Sequence, residues 1–375
     1  MNNTGPLSED WCAISNAADL FTPALVLFPE RIEQNIKTMI SVAGGTDRLR
    51  PHVKTHKMSE IIRLQMKHGI TKFKCATIAE AEMTAICGAG DILLAYQPVG
   101  PGIERFLTLL NKFPGCRISC IADDASIIGS LSGAAVRNNR KVSVWLDINC
   151  GMNRTGVAPG PKAEELYRMI AALPMLEAEG LHVYDGHIHD SDPVTRRMIC
   201  DESFRPAGEL ADRLRTNGFS NLKIVAGGTP TFPIHAGRED AELSPGTTLL
   251  WDNGYSSSFP DMHFLHAAVL ITRVISKPSE GLLCLDLGHK AVASEIPQPR
   301  VRVLGLRDYS FTGHNEEHMV IKTPESPGYN TGDLFYAIPH HICPTVDRYD
   351  SVYVARNGSV NEEWKVDARR RKITI

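Results

Sequence analysis

Short apolar runs alternate with longer stretches in which apolar residues recur every three or four positions, and this rhythm holds over the first two thirds of the chain. The runs at 25–27, 49–53, 73–76, 92–95, 118–122, 142–148, 181–184 and 222–225 have the length and character of buried strands. Between them, 30–39, 78–87, 163–172 and 204–216 carry the period of an amphipathic helix. Repeated strand–helix units predict a parallel sheet covered by helices. Their number within residues 20–250 matches a closed (β/α)8 TIM-type barrel better than an open sheet. After residue 250 the texture changes. Apolar and β-branched runs at 267–275, 282–287, 301–306, 319–322 and 351–355 are separated by turn residues at short intervals, which predicts a smaller antiparallel β domain over 251–375, joined by residues 1–19.

Composition narrows the class. With 43% hydrophobic residues the 375-residue chain has material for a large core. Nine cysteines without a Cys-x-x-Cys pair predict free thiols in a reducing, cytoplasmic setting. No apolar stretch approaches the ~18 residues needed to cross a bilayer, so no membrane partner is expected. A formal net charge of -3 supplies no basic field for nucleic acid. Nucleic acid is therefore not an expected partner.

The chemistry-bearing residues follow the predicted barrel strands. Lys54 lies in Arg50-Pro51-His52-Val53-Lys54-Thr55-His56-Lys57; in an extended segment His52, Lys54 and His56 would share one side. A desolvated lysine can lose its proton and attack an aldehyde, whereas a solvated strand-end lysine would do nothing of the kind. Asn153-Arg154, Tyr184-Asp185-Gly186-His187 and Gly227-Gly228-Thr229 follow later strands, and in a barrel such ends converge on one mouth. Gly227-Gly228-Thr229-Pro230-Thr231 has the makings of a phosphate cradle, although a plain turn explains it locally. In the C-terminal part, His341-Ile342-Cys343 would aim an imidazole and a thiolate at one point if extended, a pair that suits zinc better than magnesium. His187 and His189 form a competing pair.

These residues together resemble the fold-type III pyridoxal-phosphate enzymes, specifically the D-threonine aldolase and D-serine dehydratase family. The segment around Lys54 carries the resemblance most strongly. Asn153-Arg154-Thr155-Gly156-Val157, Glu242-Leu243-Ser244-Pro245-Gly246-Thr247, Asp286-Leu287-Gly288-His289-Lys290, Glu317-His318 and His341-Ile342-Cys343 follow in the family's order. The resemblance implies a homodimeric enzyme in which Lys54 carries pyridoxal 5'-phosphate and Arg154 and Tyr184 flank its ring. Gly228, Thr229, Gly246 and Thr247 would hold the phosphate, and His341 and Cys343 a divalent metal, with zinc favoured by the thiolate and manganese or magnesium as alternatives. Relatives often carry a second tyrosine where this chain has Ser191.

The implied reaction is metal-assisted lysis of a D-3-hydroxy amino acid. D-threonine-aldolase-like cleavage gives glycine and an aldehyde, with His56 or His187 as base. Dehydration of D-serine or D-3-hydroxyaspartate gives an oxo acid and ammonia. An amino-acid racemase would use the same lysine but would not need His341 and Cys343.

Overall fold

The structure is a computed structural model and describes residues 9–375. Two compact units emerge. One comprises residues 36–248, 258–262 and 367–375, and the other the described residues up to Asn35 with 249–257 and 263–366. Strand β1 (Ala24–Leu27) is followed by β2 (Lys72–Cys75), β3 (Asp91–Leu94), β4 (Arg117–Ala122), β5 (Val142–Ile148), β6 (Leu176–Val183), β7 (Lys223–Ala226) and β8 (Ala241–Leu243). Then come β9 (Ala268–Ser276), β10 (Leu282–Leu285), β11 (Val301–Val303), β12 (Ser310–His314), β13 (Met319–Lys322), β14 (Leu334–Pro339), β15 (Ser351–Arg356) and β16 (Ser359–Lys365).

In the first unit β2 to β8 run parallel in chain order. Residues 49–52 close the seam between β8 and β2 through parallel bridges Leu49 to Leu243 and His52 to Lys74. The Arg50 amide donates to Leu243 O (2.8 Å) and the Lys74 amide to Pro51 O (2.9 Å). Pro51 has no N–H to give, so the ladder here is too sparse for a full strand. The result is the expected TIM-type barrel, with seven parallel strands and this segment in the place of an eighth. Every residue of β5 is buried, as befits a parallel strand covered on both faces. Leu93, Ile121, Trp145 and Val225 pack together from four different strands and fill the interior. The Arg50 guanidinium, 5.7 Å from the Trp145 ring, is fixed by Asp91 and Glu242 at 2.7 Å each. Outside, the helix Ala125–Arg137 begins where the Asp124 carboxylate accepts from the Ser126 and Ile127 amides.

Two strands depart from the sequence expectation. Residues 25–27 were expected to open the barrel, but β1 lies in the other unit, parallel to β15 and antiparallel to β9. Its apolar Ala-Leu-Val-Leu pattern suits a central strand of either sheet, and pairing alone decides which. Residues 20–35 therefore group with the β unit rather than with the barrel. The final barrel strand is β8, whose Ala-Glu-Leu is too short to announce itself.

The second unit is a nine-stranded sheet with the path β12-β13-β10-β9-β1-β15-β16, to which β14 adds beside β9 and β11 beside β14. Val26, Val269, Ile271 and Ile338 form the heart of its core. The nine cysteines are all free, in keeping with the expected thiols. Among the described residues no helix is long and apolar enough to cross a membrane.

Candidate active site

The carboxyl ends of the barrel strands surround a cavity of about 550 Å³ whose wall includes His52, Lys54, Lys74, Arg154, His182 and Tyr184. Lys54 is not on an extended segment. Val53–Thr55 forms a 3-10 turn, and the His52 Nδ1 at its entrance accepts from the Lys54 amide (3.2 Å). The turn breaks the expected alternation: His52 and Lys54 reach the cavity, but His56 is completely buried and absent from its wall. Burial pushes the His56 imidazole down to about 3, and its Nδ1 is occupied by the Met58 amide (3.1 Å). That environment does not suit the base role expected of it.

Tyr184, just after β6, organises the cavity. Its ring centroid lies 5.0 Å from the Arg154 guanidinium carbon, 5.4 Å from Lys74 Nζ and 5.7 Å from Lys54 Nζ, within the range of cation–π attraction. Glycine is required beside it. A Cβ on Gly186 would stand 2.4 Å from the Tyr184 ring, and one on Gly228 would stand 3.0 Å away. Arg154 follows a turn in which the Asn149 Oδ1 accepts from the Gly151 and Asn153 amides, with Asn153 at φ 55°.

The two glycine–threonine stretches come together. The Thr229 Oγ1 accepts from the Gly246 and Thr247 amides at 3.1 Å each, and a Cβ on Gly246 would lie 3.1 Å from His52 O. Nearby in sequence, the buried Ser244 Oγ has no hydrogen-bond partner. Asp185 anchors this region from below: it accepts from the Gly228 amide (3.2 Å), the Thr231 hydroxyl (2.8 Å) and His235 Nε2 (2.8 Å). Burial would raise the Asp185 carboxyl, but the His235 and Thr231 bonds outweigh it and hold the group below the ordinary carboxylate range.

Asp185, Cys200 and His235 also place possible metal-ligand atoms within 4.8 Å of one another. Arg238 can only donate, so His235 Nδ1 accepts from it (3.1 Å) and Nε2 carries the proton given to Asp185. Each group is thus committed to a hydrogen bond that a cation would have to break. The cluster acts as the anchor of the Gly228 turn.

A further set on the cavity wall escaped the sequence reading: Lys74 on β2, Asp147 on β5 and His182 on β6. Asp147 Oδ1 lies 2.7 Å from His182 Nδ1, and His182 Nε2 lies 3.4 Å from Lys74 Nζ. An ionised carboxylate only accepts, so His182 Nδ1–H donates to Asp147 and Nε2 accepts from Lys74. Burial keeps the His182 imidazole below its ordinary value. His187 is half-buried off the cavity wall with an unpartnered Nδ1, and His189 is exposed.

In the β unit the strand-like expectation for His341-Ile342-Cys343 gives way to a helix start, since Ile342–Val346 is helical with His341 as its N-cap. The two side chains still meet. Burial would lower the His341 imidazole, but its bonds to Cys343 and Glu295 lift it to about 9; the Glu295 Oε1 stands 2.5 Å from Nδ1. Asp252, whose carboxyl burial raises to about 6, accepts from the Ile342 amide (3.0 Å). The donor set is richer than the two residues read from sequence.

Two family models match the chain: the alanine racemase N-terminal domain over residues 29–253 and a putative serine dehydratase domain over residues 267–355. The chain belongs to the D-threonine aldolase and D-serine dehydratase family. It is 29% identical to a D-threonine aldolase of Arthrobacter sp, covering 93% of this chain and 92% of that one. It is 27% identical to a 3-hydroxy-D-aspartate aldolase of Paracoccus denitrificans, covering 94% and 93%. The crystal structure of D-threonine aldolase from Filomicrobium marinum superposes with a TM-score of 0.85 at 29% identity, over 94% of this chain and 96% of that chain. A D-threo-3-hydroxyaspartate dehydratase from Delftia sp. HT23 shares the fold at 22% identity, with a TM-score of 0.82, over 93% and 98%. The chain is an enzyme, a lyase of this pyridoxal-phosphate-dependent family.

Proposed function

We propose that the protein cleaves D-3-hydroxy amino acids by a D-threonine-aldolase-type reaction, giving glycine and an aldehyde, with pyridoxal 5'-phosphate and a divalent ion as cofactors. The observation that carries this reading is the Lys54 amine on a cavity wall shared with Tyr184 and Arg154, at the carboxyl ends of the barrel strands. The residues fit the cofactor. An amine is available to its aldehyde, an arginine is present for an anionic oxygen, and the Ser244 Oγ is unpartnered; the Gly228, Gly246 and Thr247 amides, which donate to Asp185, Thr231 and Thr229, would exchange those acceptors for the phosphate.

When bound, pyridoxal phosphate supplies an electron-withdrawing conjugated ring and the divalent ion supplies Lewis acidity at an oxygen. The chain does the rest. Lys54 makes the covalent attachment, Tyr184 and Arg154 orient the ring, and Gly228, Thr229, Gly246 and Thr247 hold the phosphate. His341 and Cys343 hold the ion, and the sulfur ligand favours zinc. For the base that takes the β-hydroxyl proton we keep His187, expected from the sequence; it is off the cavity wall, and its buried Nδ1 has no hydrogen-bond partner.

A second reading rests on Cys343, since a histidine–cysteine ligand pair is what the resemblance associates with dehydratases. There Lys54 removes the Cα proton and an oxo acid and ammonia result. Product analysis with D-threonine and D-serine, with and without chelator, decides between them. Glycine plus acetaldehyde from D-threonine supports the aldolase, and an oxo acid plus ammonia supports the dehydratase. Activity that survives thorough chelation overturns the metal-assisted reading and points to a racemase-type use of Lys54.

A further inference from the structure

The two buried arginines of the barrel unit are paired with carboxylates: Arg50 with Asp91 and Glu242, Arg196 with Asp261. Lys74, also buried, is not. Its residue is 2% exposed, its amine faces the cavity, and among the described residues no carboxylate lies within ion-pair reach of it. Its hydrogen-bond partner is the neutral His182 Nε2, at a long 3.4 Å. An ammonium group has three donors and the free amine two, so donor capacity remains open on the side of the cavity.

The surroundings do not supply an acceptor. Around Lys74 stand Arg50 and His52 of the closing segment, Lys54 from the turn after it, Asp147 from β5, and His182, Tyr184 and Asp185 from β6 and its loop. Asp147 gives Oδ1 to His182 while its buried Oδ2 has no hydrogen-bond partner, yet it forms no hydrogen bond or ion pair with the Lys74 amine; Asp185 is taken up by His235, Thr231 and the Gly228 amide. Burial, followed by repulsion from Lys54, brings the Lys74 amine down to about 7. An amine left like this in an interior either gives up its proton or is completed by an anion.

We propose that Lys74 is a ligand-binding residue whose amine donates to an anionic oxygen of the molecule seated in the cavity, with His182 and Asp147 holding Nζ in place. The shared chemistry is an oxyanion. It comes either from the cofactor or from the carboxylate of the amino-acid substrate, and this assignment rests on the proposed function in giving the cavity to those two molecules. An anion beside the amine favours its protonated form. Binding above pH 7 then takes up a proton, and affinity falls by up to about tenfold per pH unit there.

The test uses cofactor-depleted full-length protein as wild type, Lys74→Met and Lys74→Arg, with thermal melts to confirm folding. Pyridoxal phosphate is titrated in between about pH 6.5 and 9 and binding is read by equilibrium dialysis and by the visible absorbance band. The reconstituted proteins are then titrated with D-alanine, which has the α-carboxylate but no β-hydroxyl, and its spectral change is followed. Pyridoxal phosphate binding weakened about tenfold or more in Lys74→Met and partly restored in Lys74→Arg assigns the oxyanion to the cofactor. Unchanged cofactor affinity with D-alanine binding weakened about tenfold assigns it to the substrate carboxylate. Both affinities within about twofold of wild type overturn the proposal while leaving the proposed function standing. A wild-type protein that binds no pyridoxal phosphate overturns the proposed function and this inference with it. Should Lys74→Met fail to fold, Lys74→Gln replaces it in both titrations, and affinities for both molecules within about twofold of wild type in that variant overturn the proposal.

Discussion

Replacing Asp185 by alanine removes one acceptor from three buried donors: the Gly228 amide, the Thr231 hydroxyl and His235 Nε2. Hydrogen bonds to a charged group contribute about 1.5–3 kcal/mol each, but the three do not simply add. The Gly228 amide keeps the Thr231 Oγ1 at 3.2 Å, and that hydroxyl can turn to Gly228 O at 3.5 Å. The His235 Nε2 proton is left with only the Cys200 sulfur at 3.4 Å. The expected loss is therefore roughly 3–4 kcal/mol. Asp185→Asn keeps an acceptor for Gly228 and Thr231 but sets an amide N–H2 against the His235 N–H, whose other tautomer is blocked by Arg238, so it costs about 1–2 kcal/mol. Urea unfolding of both variants measures this, and pyridoxal phosphate titration should show weaker binding in the order wild type, Asn, Ala. The carboxyl is held below its ordinary range when folded. Its stabilisation is hence full above the unfolded carboxyl value of about 4 and is lost only as pH falls through the lowered folded value, so the wild-type-to-alanine difference should be flat from about pH 5 upward. A loss below about 1 kcal/mol, or asparagine as damaging as alanine, would refute the anchoring argument.

Lys54→Ala is expected to keep the fold and lose both the visible cofactor band and turnover, and a band that persists in the variant places the covalent attachment on another amine. His341→Ala and Cys343→Ala are expected to retain the cofactor band while D-3-hydroxy amino acid turnover falls by about a hundredfold or more and bound metal, measured by elemental analysis, drops. Full activity in both variants removes that pair from the reaction.

The alternation of apolar runs and amphipathic stretches determined a parallel barrel followed by a β-rich part, because buried parallel strands and the helices over them have distinct periods. The residue string around Lys54 and the order of the later motifs likewise carried the family and, through the resemblance, the expectation of a lysine-anchored cofactor. Tertiary structure decided the rest. Residues 25–27 read as a strand, yet only pairing with β9 and β15 places them in the β unit, since an apolar strand fits either sheet. His56 shared an alternating pattern with Lys54, but one 3-10 turn took it off the cavity wall. Lys74 looked like an ordinary charged position in Lys-Phe-Lys-Cys, and it is curvature of the sheet into a barrel that turns it inward to meet His182 and Asp147, residues distant in sequence. Local pattern records which faces are apolar; which polar groups are enclosed depends on closure, and closure is a property of the whole sheet.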